Sequence, residues 1–470
     1  MRLLFLMAIY WGALPIILMT DPFYGVLEYA FINIIRPEQL LWSGAVSVGR
    51  IFYAVQAVSF FSWLINRQKF TPENTPVPHQ IKVMLIICAG MLISLPFAIG
   101  PFETNWKWTF QFIKISLFCF VLSQAINTAK KLEWYYAASL GWFMFLEIWG
   151  IYQKLGGNAY MEGIGGDQLG DRNDLSSVII LYLPMAYYFL YNRKRWIRLC
   201  IGIPATIISV TFIFFAQSRG GFLGLAICLI FIFMRTSGFQ QKIKMIVTLL
   251  TVVILLIAFM IPLAPEGFFD EYTARLKTML GEQSAEDTGE IQYESSAAGR
   301  LAMWKAAYYF MRQHPEFWLV GMGQRGFSAI YFRYIHEIAL YLNDEDLGHV
   351  IYGGQGGKAI HNAYLNIFTS GGFIVFLPWI YLLFFGWYQA HNIPKKYPRI
   401  IDGVDIHNYA RAVEIGLVGA YATIVFTNTE YVDFYYWHLV MAGIIANLGK
   451  AKLKRNELAG EDEEFMETFS

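Results

Sequence analysis

Residues 362–386 read NAYLNIFTSGGFIVFLPWIYLLFFG, a run without a single charged side chain. A helix that crosses a lipid bilayer needs about 20 mostly apolar residues, so this run predicts a membrane-spanning helix. The whole chain of 470 residues has a similar character, since 56% of its residues are hydrophobic and 15% are charged. Soluble domains carry about 25% charged residues. The composition predicts an all-α, polytopic membrane protein and excludes a soluble globule, a disordered chain and a disulfide scaffold.

Similar apolar runs recur along the chain and predict a transmembrane bundle of about 12 spans. The segment 22–35 is also apolar but short, and it carries Glu28. We interpret it as a re-entrant or interfacial piece that lies against the membrane; a true span there would move the N-terminus to the other side. The predicted spans are residues 4–20, 44–65, 81–100, 108–127, 133–151, 174–191, 197–216, 220–234, 244–262, 362–386, 410–428 and 432–449.

Lysine and arginine are concentrated in alternate loops, and such loops face the cytoplasm. The pattern predicts that both termini are cytoplasmic and that the loop 263–361 faces outward. Four regions follow from this topology: an N-terminal transmembrane bundle at 1–262, a periplasmic loop with short helices at 263–361, C-terminal transmembrane helices at 362–449, and a cytoplasmic tail at 450–470.

Charge and cysteine content exclude further classes of protein. The formal net charge is +1, which gives no bulk electrostatic reason to bind nucleic acid. The cysteines have no metal-ligand spacing and lie inside apolar runs, so we expect buried thiols. They are Cys88, Cys119, Cys200 and Cys228.

The outward loop 263–361 contains segments of different character. Residues 281–299 are acidic and small, which is typical of a linker. Apolar residues recur at helical spacing over 300–312, and a second helix is predicted over 327–340. The glycine-rich segment 353–357 stands just before His361, where a lid over a site and a plain connector are both open interpretations.

Three residues at the outer face could serve a reaction on an anionic substrate. Arg219 lies in Gln217-Ser218-Arg219-Gly220-Gly221 at the start of a span, where free backbone N–H groups and a guanidinium favour a phosphate. Arg300 and His361 lie within the outward loop, and a histidine suits general-base work. A snorkelling arginine and a structural histidine are the alternatives.

Other polar groups have simpler interpretations. Asp167, Asp171 and Asp174 could bind a divalent cation, but a solvated loop face is favoured because the EF-hand spacing is absent. Lys114 and Glu147 lie within predicted spans, where a charge costs roughly 2.5–3.5 kcal/mol, and we predict that they form an ion pair rather than a transport path.

The sequence 321–326 matches GxGxxG, but no strand precedes it and no βαβ unit surrounds it. We interpret it as a turn between two amphipathic helices rather than a nucleotide site.

Around these residues the chain resembles the O-antigen ligase and O-antigen polymerase superfamily of bacterial membrane proteins. Three patterns in order carry the resemblance. They are Ser218-Arg219-Gly220-Gly221; Gly299-Arg300-xxx-Trp304 with His314-Pro315 and Gly321-x-Gly323 ahead of Phe327; and His361-Asn362-xx-Leu365 with Gly371-Gly372.

The N-terminal third is similar to a narrower branch, the O-glycosylation ligases associated with exosortase systems. Asn33-xx-Arg36-Pro37 carries that likeness, together with Gly165-Gly166 and Asn173-Asp174-Leu175.

The resemblance implies a GT-C-like, metal-independent glycosyltransferase in the bacterial inner membrane, without a cofactor. Its donor would be a glycan on undecaprenyl pyrophosphate, and its acceptor a hydroxyl of lipid A core, of a glycan or of a protein at the periplasmic face. Arg219 and Arg300 would bind the pyrophosphate, and His361 would take the acceptor proton in one inverting displacement. Arg325 and Arg333 would be further anion binders in reserve.

Two site residues and several alternatives complete the prediction. Trp304 would pack its helix or stack on sugar, with packing favoured, and Asn362 would contact substrate. A polymerase with the same donor is the rival enzyme, and a polysaccharide flippase or transporter is the non-enzyme alternative, although no internal repeat is evident. Glu294 or Glu337 would be the next candidate base after His361.

Overall fold

The architecture comes from a computed structural model of the full chain. It describes residues 2–36, 49–71, 75–156, 166–236, 297–351 and 359–468, with isolated positions between 238 and 258. The linker 281–296, the glycine-rich segment 353–357, Glu294 and most of the predicted span 244–262 lie outside the described residues.

Helices dominate the described part of the chain. They are α1 (Arg2–Met19), α2 (Pro22–Ile35), α3 (Gly49–Ile65), α4 (His79–Ser94), α5 (Phe102–Ala125), α6 (Ala129–Leu155), α7 (Arg172–Phe189), α8 (Arg195–Ala216), α9 (Arg219–Arg235), α10 (Ala297–Gln313), α11 (Asp344–Ile351), α12 (Ala363–Lys396), α13 (Ile406–Thr423) and α14 (Asp433–Thr468). Short helical turns are Arg67–Lys69, Leu95–Phe97, Gly166–Leu169, Pro315–Phe317, Gly326–Ile330, Tyr331–Tyr334, Ile335–Ala339 and Ile424–Phe426.

Five helices within the described residues are long and apolar enough to cross a membrane. They are His79–Phe97, Phe102–Ala125, Arg195–Ala216, Ala363–Lys396 and Ile406–Phe426. The predicted multi-pass, mostly helical membrane protein is therefore confirmed. The number of about 12 spans and the side of the membrane that each loop faces stay predictions.

The segment 22–35 is a helix inside the bundle, not a piece lying on its surface. Its N-cap Asp21 pairs with Lys131 Nζ at 2.6 Å, while Asn33 Nδ2 donates to Asp433 Oδ2 at 2.8 Å. Lys131 marks the end of the bundle that carries the basic loops, and Asp433 marks the opposite end. The interfacial interpretation is wrong because α2 buries most of its side chains and connects the two ends.

One membrane helix is broken, and an outer turn fills the break. In α12, Gly372 has φ 59° and ψ −162°, which interrupts the helical hydrogen bonds. The freed N–H groups of Phe373 and Ile374 donate to the carbonyls of Trp318 and Leu319. In return, Met322 and Gly323 donate to the carbonyls of Thr369 and Ser370. Irregular backbone at this depth is tolerated because protein groups satisfy it.

This docking explains the glycines of the 321–326 turn. Gly321 has φ 71°, and a Cβ there would lie 2.4 Å from the Ser370 carbonyl carbon. A Cβ on Gly372 would lie 2.5 Å from the Leu319 carbonyl carbon. Only glycine allows two backbones to approach this closely with a positive φ. The expected turn is confirmed, and its role is to lock the outer segment onto α12.

The outer segment folds around a small core of its own. The predicted helix over 300–312 is confirmed by α10, but the predicted helix over 327–340 is broken into three short helical turns. Buried side chains from α10 and these turns pack together. They include Ala302, Met303, Phe310, Phe327 and Tyr331.

Three further expectations need correction. The fold is not purely helical, because Ile400–Ile401 (β1) pairs antiparallel with Val404–Asp405 (β2) across a tight turn. Asp402 and Gly403 both have positive φ, as two-residue hairpin turns require. Cys200 is exposed at the surface, whereas Cys88, Cys119 and Cys228 are buried as expected.

The predicted ion pair within the membrane helices is also wrong. Lys114 Nζ lies 3.5 Å from the Tyr53 hydroxyl, and Glu147 Oε1 accepts a hydrogen bond from Ser209 at 2.7 Å. Lys114 and Glu147 therefore have separate environments, and the position of Lys114 needs another explanation.

Candidate active site

The connection between α13 and α14 is the centre of the site. Its residues contact elements that are far apart in the sequence: Phe426 contacts α10, Asn428 contacts His361, and Glu430 contacts Asn366 of α12. The hydroxyl of Tyr431 donates to Gln324. This connection therefore brings the outer segment, the start of α12 and the bundle together at one end.

Arg300 is fixed beside two carboxylates and a second arginine. Its Nη1 donates to the Phe426 carbonyl at 3.1 Å. Burial lowers the pKa of Arg300; the Asp171 and Asp174 carboxylates oppose this, whereas Arg219 adds to it. Two neighbouring guanidinium groups that repel each other are suited to bind an anion with more than one negative charge.

Arg219 stands at the start of α9, where helix geometry adds to its charge. Ser218 caps the helix by accepting a hydrogen bond from Gly221 N at 3.2 Å. The preceding Gln217 has φ 51° and is buried. Neither amide atom of Gln217 has a hydrogen-bond partner in the described part of the chain. A buried side-chain amide without hydrogen-bond partners next to Arg219 indicates space for a polar ligand.

His361 is held by Asn428 through both its backbone and its ring. The Asn428 Oδ1 accepts from His361 N at 2.8 Å, and its Nδ2 lies 3.4 Å from His361 Nδ1. Because Oδ1 is fixed by the backbone N–H, the amide N–H group faces Nδ1, which must accept. We infer that neutral His361 carries its proton on Nε2. The residue has φ 52°, an uncommon backbone conformation that is often found at functional sites.

The surroundings keep the His361 imidazole neutral. Burial lowers the pKa of His361 to about 4; Arg300 and Arg325 lower it further, and Asp171 opposes them. The residue as a whole nevertheless remains exposed. At pH 7 the ring is uncharged and able to accept a proton, although a low pKa makes it a weak base.

Arg325 is more firmly placed than a secondary anion binder would require. Its backbone N–H donates to Ser370 Oγ at 3.0 Å, and its φ is 55°. The guanidinium carbon lies 3.8 Å from the centre of the Trp108 ring, and Nε lies 3.7 Å from Glu430 Oε1. Since Glu430 is buried, it fixes the arginine from behind while the other nitrogens can reach a substrate.

The acidic residues near the start of α7 have different roles. Asp171 caps α7 by accepting from Asn173 N and Asp174 N. Asp174 lines a cavity together with Arg325 and Asn428 and interacts electrostatically with Arg300. The solvated-face interpretation is therefore wrong for Asp174. Within the described residues, no cluster of three or more acidic, histidine or cysteine side chains could hold a metal ion; the Asp167 side chain lies outside that set.

A cavity of about 470 Å³ extends from Arg325 and Asn428 toward the C-terminal end of α2. Its walls come from α2, α3, α5 and the start of α14. A second cavity of about 260 Å³ lies at the basic end. There, Glu133 pairs with Lys194 and Asp405 with Arg399. Because those charges are already compensated, the larger cavity is the better candidate for a charged substrate.

The remaining predicted residues lie at the margin of the site. Trp304 packs: its Nε1 donates to the Ile360 carbonyl at 2.9 Å, next to His361. Asn362 caps α12 by accepting from Leu365 N at 3.0 Å. Arg333 is exposed and does not line the cavity. Glu337 bonds to His314 at 3.0 Å on the exposed surface. Substrate contact by Asn362 or Arg333 stays a prediction.

Residues 204–380 match the family described as O-antigen ligase (Wzy_C). This segment contains Arg219, Arg300, Arg325 and His361, the residues that the fold gathers at one end of the bundle. The chain carries an O-antigen ligase domain. The resemblance inferred from the three sequence patterns is thus confirmed for this domain.

The region before the O-antigen ligase domain has a different match. Residues 1–192 match a family of unknown function (DUF5935), and no curated protein matches the chain. The likeness of this region to exosortase-associated ligases stays a prediction, and Pro37 and Gly165 of its motifs lie outside the described residues. Asn33 and Arg36 line the cavity beside the O-antigen ligase domain.

Sequence reasoning missed the residues that organise the site. Asn428, Glu430, Trp108 and Asp433 were not singled out, although each contacts a predicted site residue or lines the cavity. A signal was present in Thr427-Asn428-Thr429-Glu430, a polar run between two strongly apolar spans. Polar residues buried at such a place are usually functional.

Proposed function

We propose that this protein transfers a glycan from undecaprenyl pyrophosphate to an acceptor hydroxyl at the periplasmic face of the bacterial inner membrane. One observation carries the proposal: Arg219, Arg300 and Arg325 lie at the same end of the bundle as neutral His361. Three guanidinium groups match a pyrophosphate leaving group, and a nucleotide sugar is absent outside the cytoplasm. The O-antigen ligase domain supports this proposal.

The proposed reaction is a single inverting displacement. The acceptor oxygen attacks the anomeric carbon, and the bond from that carbon to the pyrophosphate oxygen breaks. The electron pair leaves with the polyprenyl pyrophosphate, whose growing negative charge Arg219 and Arg300 stabilise. No metal is needed, because arginines provide the positive charge that metal ions supply in other transferases.

Two groups are candidates to take the acceptor proton. His361 was predicted from the sequence, and its neutral form meets the first requirement of a base. Its Nδ1 already faces Asn428, however, so it must exchange that contact for the substrate. Asp174 is the second candidate because its carboxylate lines the cavity and is near both Arg300 and Arg325.

The choice of acceptor separates a ligase from a polymerase, and the proposal favours a ligase because the domain match is to O-antigen ligase. The decisive assay uses purified protein with an undecaprenyl-pyrophosphate glycan and offers either lipid A core, a free glycan end or a hydroxyl-bearing peptide. Product with core or peptide supports a ligase, and products of increasing glycan length support the polymerase alternative. Absence of transfer to every acceptor contradicts the proposal.

Metal independence is tested in the same assay. We expect turnover to survive EDTA, since guanidinium groups are not removed by chelation. Loss of turnover that Mg²⁺ or Mn²⁺ restores would contradict the two-arginine mechanism and redirect attention to Asp171 and Asp174.

A further inference from the structure

The chain that leads into α7 carries two carboxylates of the site but has little secondary structure of its own. Between α6 and α7, the described residues form one short helical turn, Gly166–Leu169, and Asp171 and Asp174 follow shortly after it. A helical turn of four residues is not stable alone, so its position depends on contacts with the rest of the fold. The placement of Asp174 therefore depends on what holds the segment 166–174.

Asp433, the first residue of α14, holds this segment at its helical turn. Its Oδ1 accepts a hydrogen bond from Gln168 Nε2 at 3.0 Å, and its backbone N–H donates to Gln168 Oε1 at 3.4 Å. Both ends of one side-chain amide are thus used on one residue. The same carboxylate is buried and accepts from Gln111 at 3.1 Å and from Asn33 at 2.8 Å. Asp433 therefore joins the segment 166–174 to α2 and α5.

Two cations stabilise this buried carboxylate. Arg36 and Lys114 both act on Asp433 electrostatically, which also explains the position of Lys114 away from Glu147. A buried carboxylate needs such cations and several hydrogen-bond donors in order to be stable. With both present, Asp433 is suited to hold its neighbours in place.

A second contact from α14 holds the chain on the other side of Asp174. The Tyr435 hydroxyl lies 2.5 Å from Ser177 Oγ. Ser177 is three residues beyond Asp174 on α7, so the two side chains share one face of the helix. Tyr435 also interacts electrostatically with Asp174. The start of α14 thus contacts the chain before and after Asp174.

These contacts connect the two regions that match protein families. Gln168 and Asp174 lie within 1–192, the region that matches a family of unknown function, whereas Arg300 lies in the O-antigen ligase domain. Asp174 nevertheless interacts electrostatically with Arg300 and with Arg325 of that domain. The candidate site is therefore built from both regions.

We propose that Asp433 is a positioning residue for the transfer reaction: through Gln168 it fixes the segment 166–174, so that the Asp174 carboxylate lies beside Arg300. The region 1–192 thereby supplies one wall of the active site. The inference rests on the proposed function for the reaction that this site performs. Asp433 acts through Gln168 and takes no part in the proton transfer itself.

The test is hydrogen exchange, followed by mass spectrometry, on the full-length protein in lipid nanodiscs. Gln168→Met keeps the length of the side chain and removes both amide contacts with Asp433. We expect the peptide that covers 166–174 to exchange about tenfold faster or more, because the contacts that hold it against α14 are lost. Gln111→Met is the matched control. It removes one hydrogen bond from the same carboxylate but lies on α5, so exchange of the segment 166–174 should change much less.

Transfer by the same variants connects this contact to the reaction. Gln168→Met should lower kcat by about tenfold or more and leave the KM for the donor nearly unchanged, because Asp174 is displaced while the donor-binding arginines remain. Asp433→Asn should act in the same way, and the double variant should be no slower than the single variants, since both act through one contact. Gln80→Met removes a buried amide contact at the basic end and should keep the wild-type kcat.

Unchanged exchange of the segment 166–174 in Gln168→Met, or an equal change in Gln111→Met, would overturn the inference. Faster exchange with full kcat would also overturn it, because the segment would then not serve the reaction. If Gln168→Met does not fold, Tyr435→Phe removes the second contact and carries the same expectation for exchange at the start of α7. Exchange needs no substrate, so the expected exchange pattern without transfer by the wild-type protein would contradict only the proposed function.

Discussion

At the scale of single residues, the shape of the arginine side chain matters as much as its charge. Arg300 is held by the Phe426 carbonyl, and Arg219 is the first residue of α9. A planar guanidinium can donate two parallel hydrogen bonds to a phosphate, whereas an ammonium group acts as a point charge. Replacement by lysine therefore separates geometry from charge.

We predict that Arg219→Lys and Arg300→Lys each reduce transfer by about tenfold or more and weaken donor binding, since the paired contacts are lost. The measurement is kcat/KM with the undecaprenyl-pyrophosphate donor, normalised to folded protein. Arg312→Lys on the exposed end of α10 is the control. Wild-type values for both lysine variants would mean that these arginines only anchor helix ends.

The identity of the proton acceptor is decided by comparing His361→Ala with Asp174→Asn. Loss of the true base should slow transfer by about 10²–10⁴-fold and leave donor binding intact. The other variant should change turnover much less. If both variants keep full specific activity, neither residue is the base.

The pH dependence gives a second means of telling these residues apart. Because the pKa of folded His361 is lowered from 6.5 to about 4, the ring stays neutral down to about pH 4. If His361 is the base, kcat/KM should hold steady as pH falls through 6.5 and decline only near pH 4. A decline centred at 6.5 in the wild type would show an unperturbed histidine and contradict the described surroundings.

At the scale of elements, the broken helix α12 positions the arginine of the outer turn. The break at Gly372 exposes carbonyls and N–H groups that the 318–323 segment satisfies, and Ser370 then binds the backbone N–H of Arg325. The position of Arg325 over Trp108 thus depends on an interruption within a membrane helix. Half-helix ends near a substrate are a common way to build such sites.

We predict that Gly372→Ala destabilises the protein and displaces Arg325. An added Cβ would meet the Leu319 carbonyl at 2.5 Å with φ at 59°, and such strain costs about 1–3 kcal/mol. Thermal melting in detergent and the transfer assay should both show a loss. Gly141→Ala on α6 is the control, because nothing lies within 4 Å of its added Cβ. Equal melting temperatures for the two variants would contradict this account.

At the scale of the whole molecule, α2 determines where the N-terminus lies. It connects Lys131 at the basic end to Asp433 at the site end, and Ser62 of α3 binds the Ile17 carbonyl near the end of α1. The start of α1 therefore points toward the site end. If the site faces outward, the N-terminus then lies outside, which is the orientation that follows when residues 22–35 cross the membrane.

We predict that the N-terminus and the site lie outside and the C-terminal tail lies inside. In intact cells, an impermeant thiol reagent should label a cysteine inserted directly after Met1 or introduced at exposed Tyr308 of α10. It should not label one at Asn456. Labelling of Asn456→Cys with protection of Tyr308→Cys would place the site in the cytoplasm and remove the proposed donor.

The sequence by itself determined what the apolar pattern and short motifs encode. Long uncharged runs require helices in a bilayer. The O-antigen ligase domain was marked by motifs that each occupy only a few neighbouring residues: Ser218-Arg219-Gly220-Gly221, Arg300 and His361-Asn362. Composition could not show that the 22–35 segment connects both ends of the bundle. Its 14 residues extend only about 21 Å, shorter than an ordinary span, and its burial depends on neighbours.

Only the tertiary structure decided which polar residues meet. Asn428 reaches His361 across 67 positions, and Asn33 reaches Asp433 across 400 positions. No periodicity or motif encodes such pairs, because each side chain acquires its partner only when helices pack. The same packing placed Lys114 over Tyr53 rather than beside Glu147 and gave Arg325 its ring and its carboxylate. Local pattern specifies helices and their ends, whereas a site assembled from distant helix ends depends on how those helices pack.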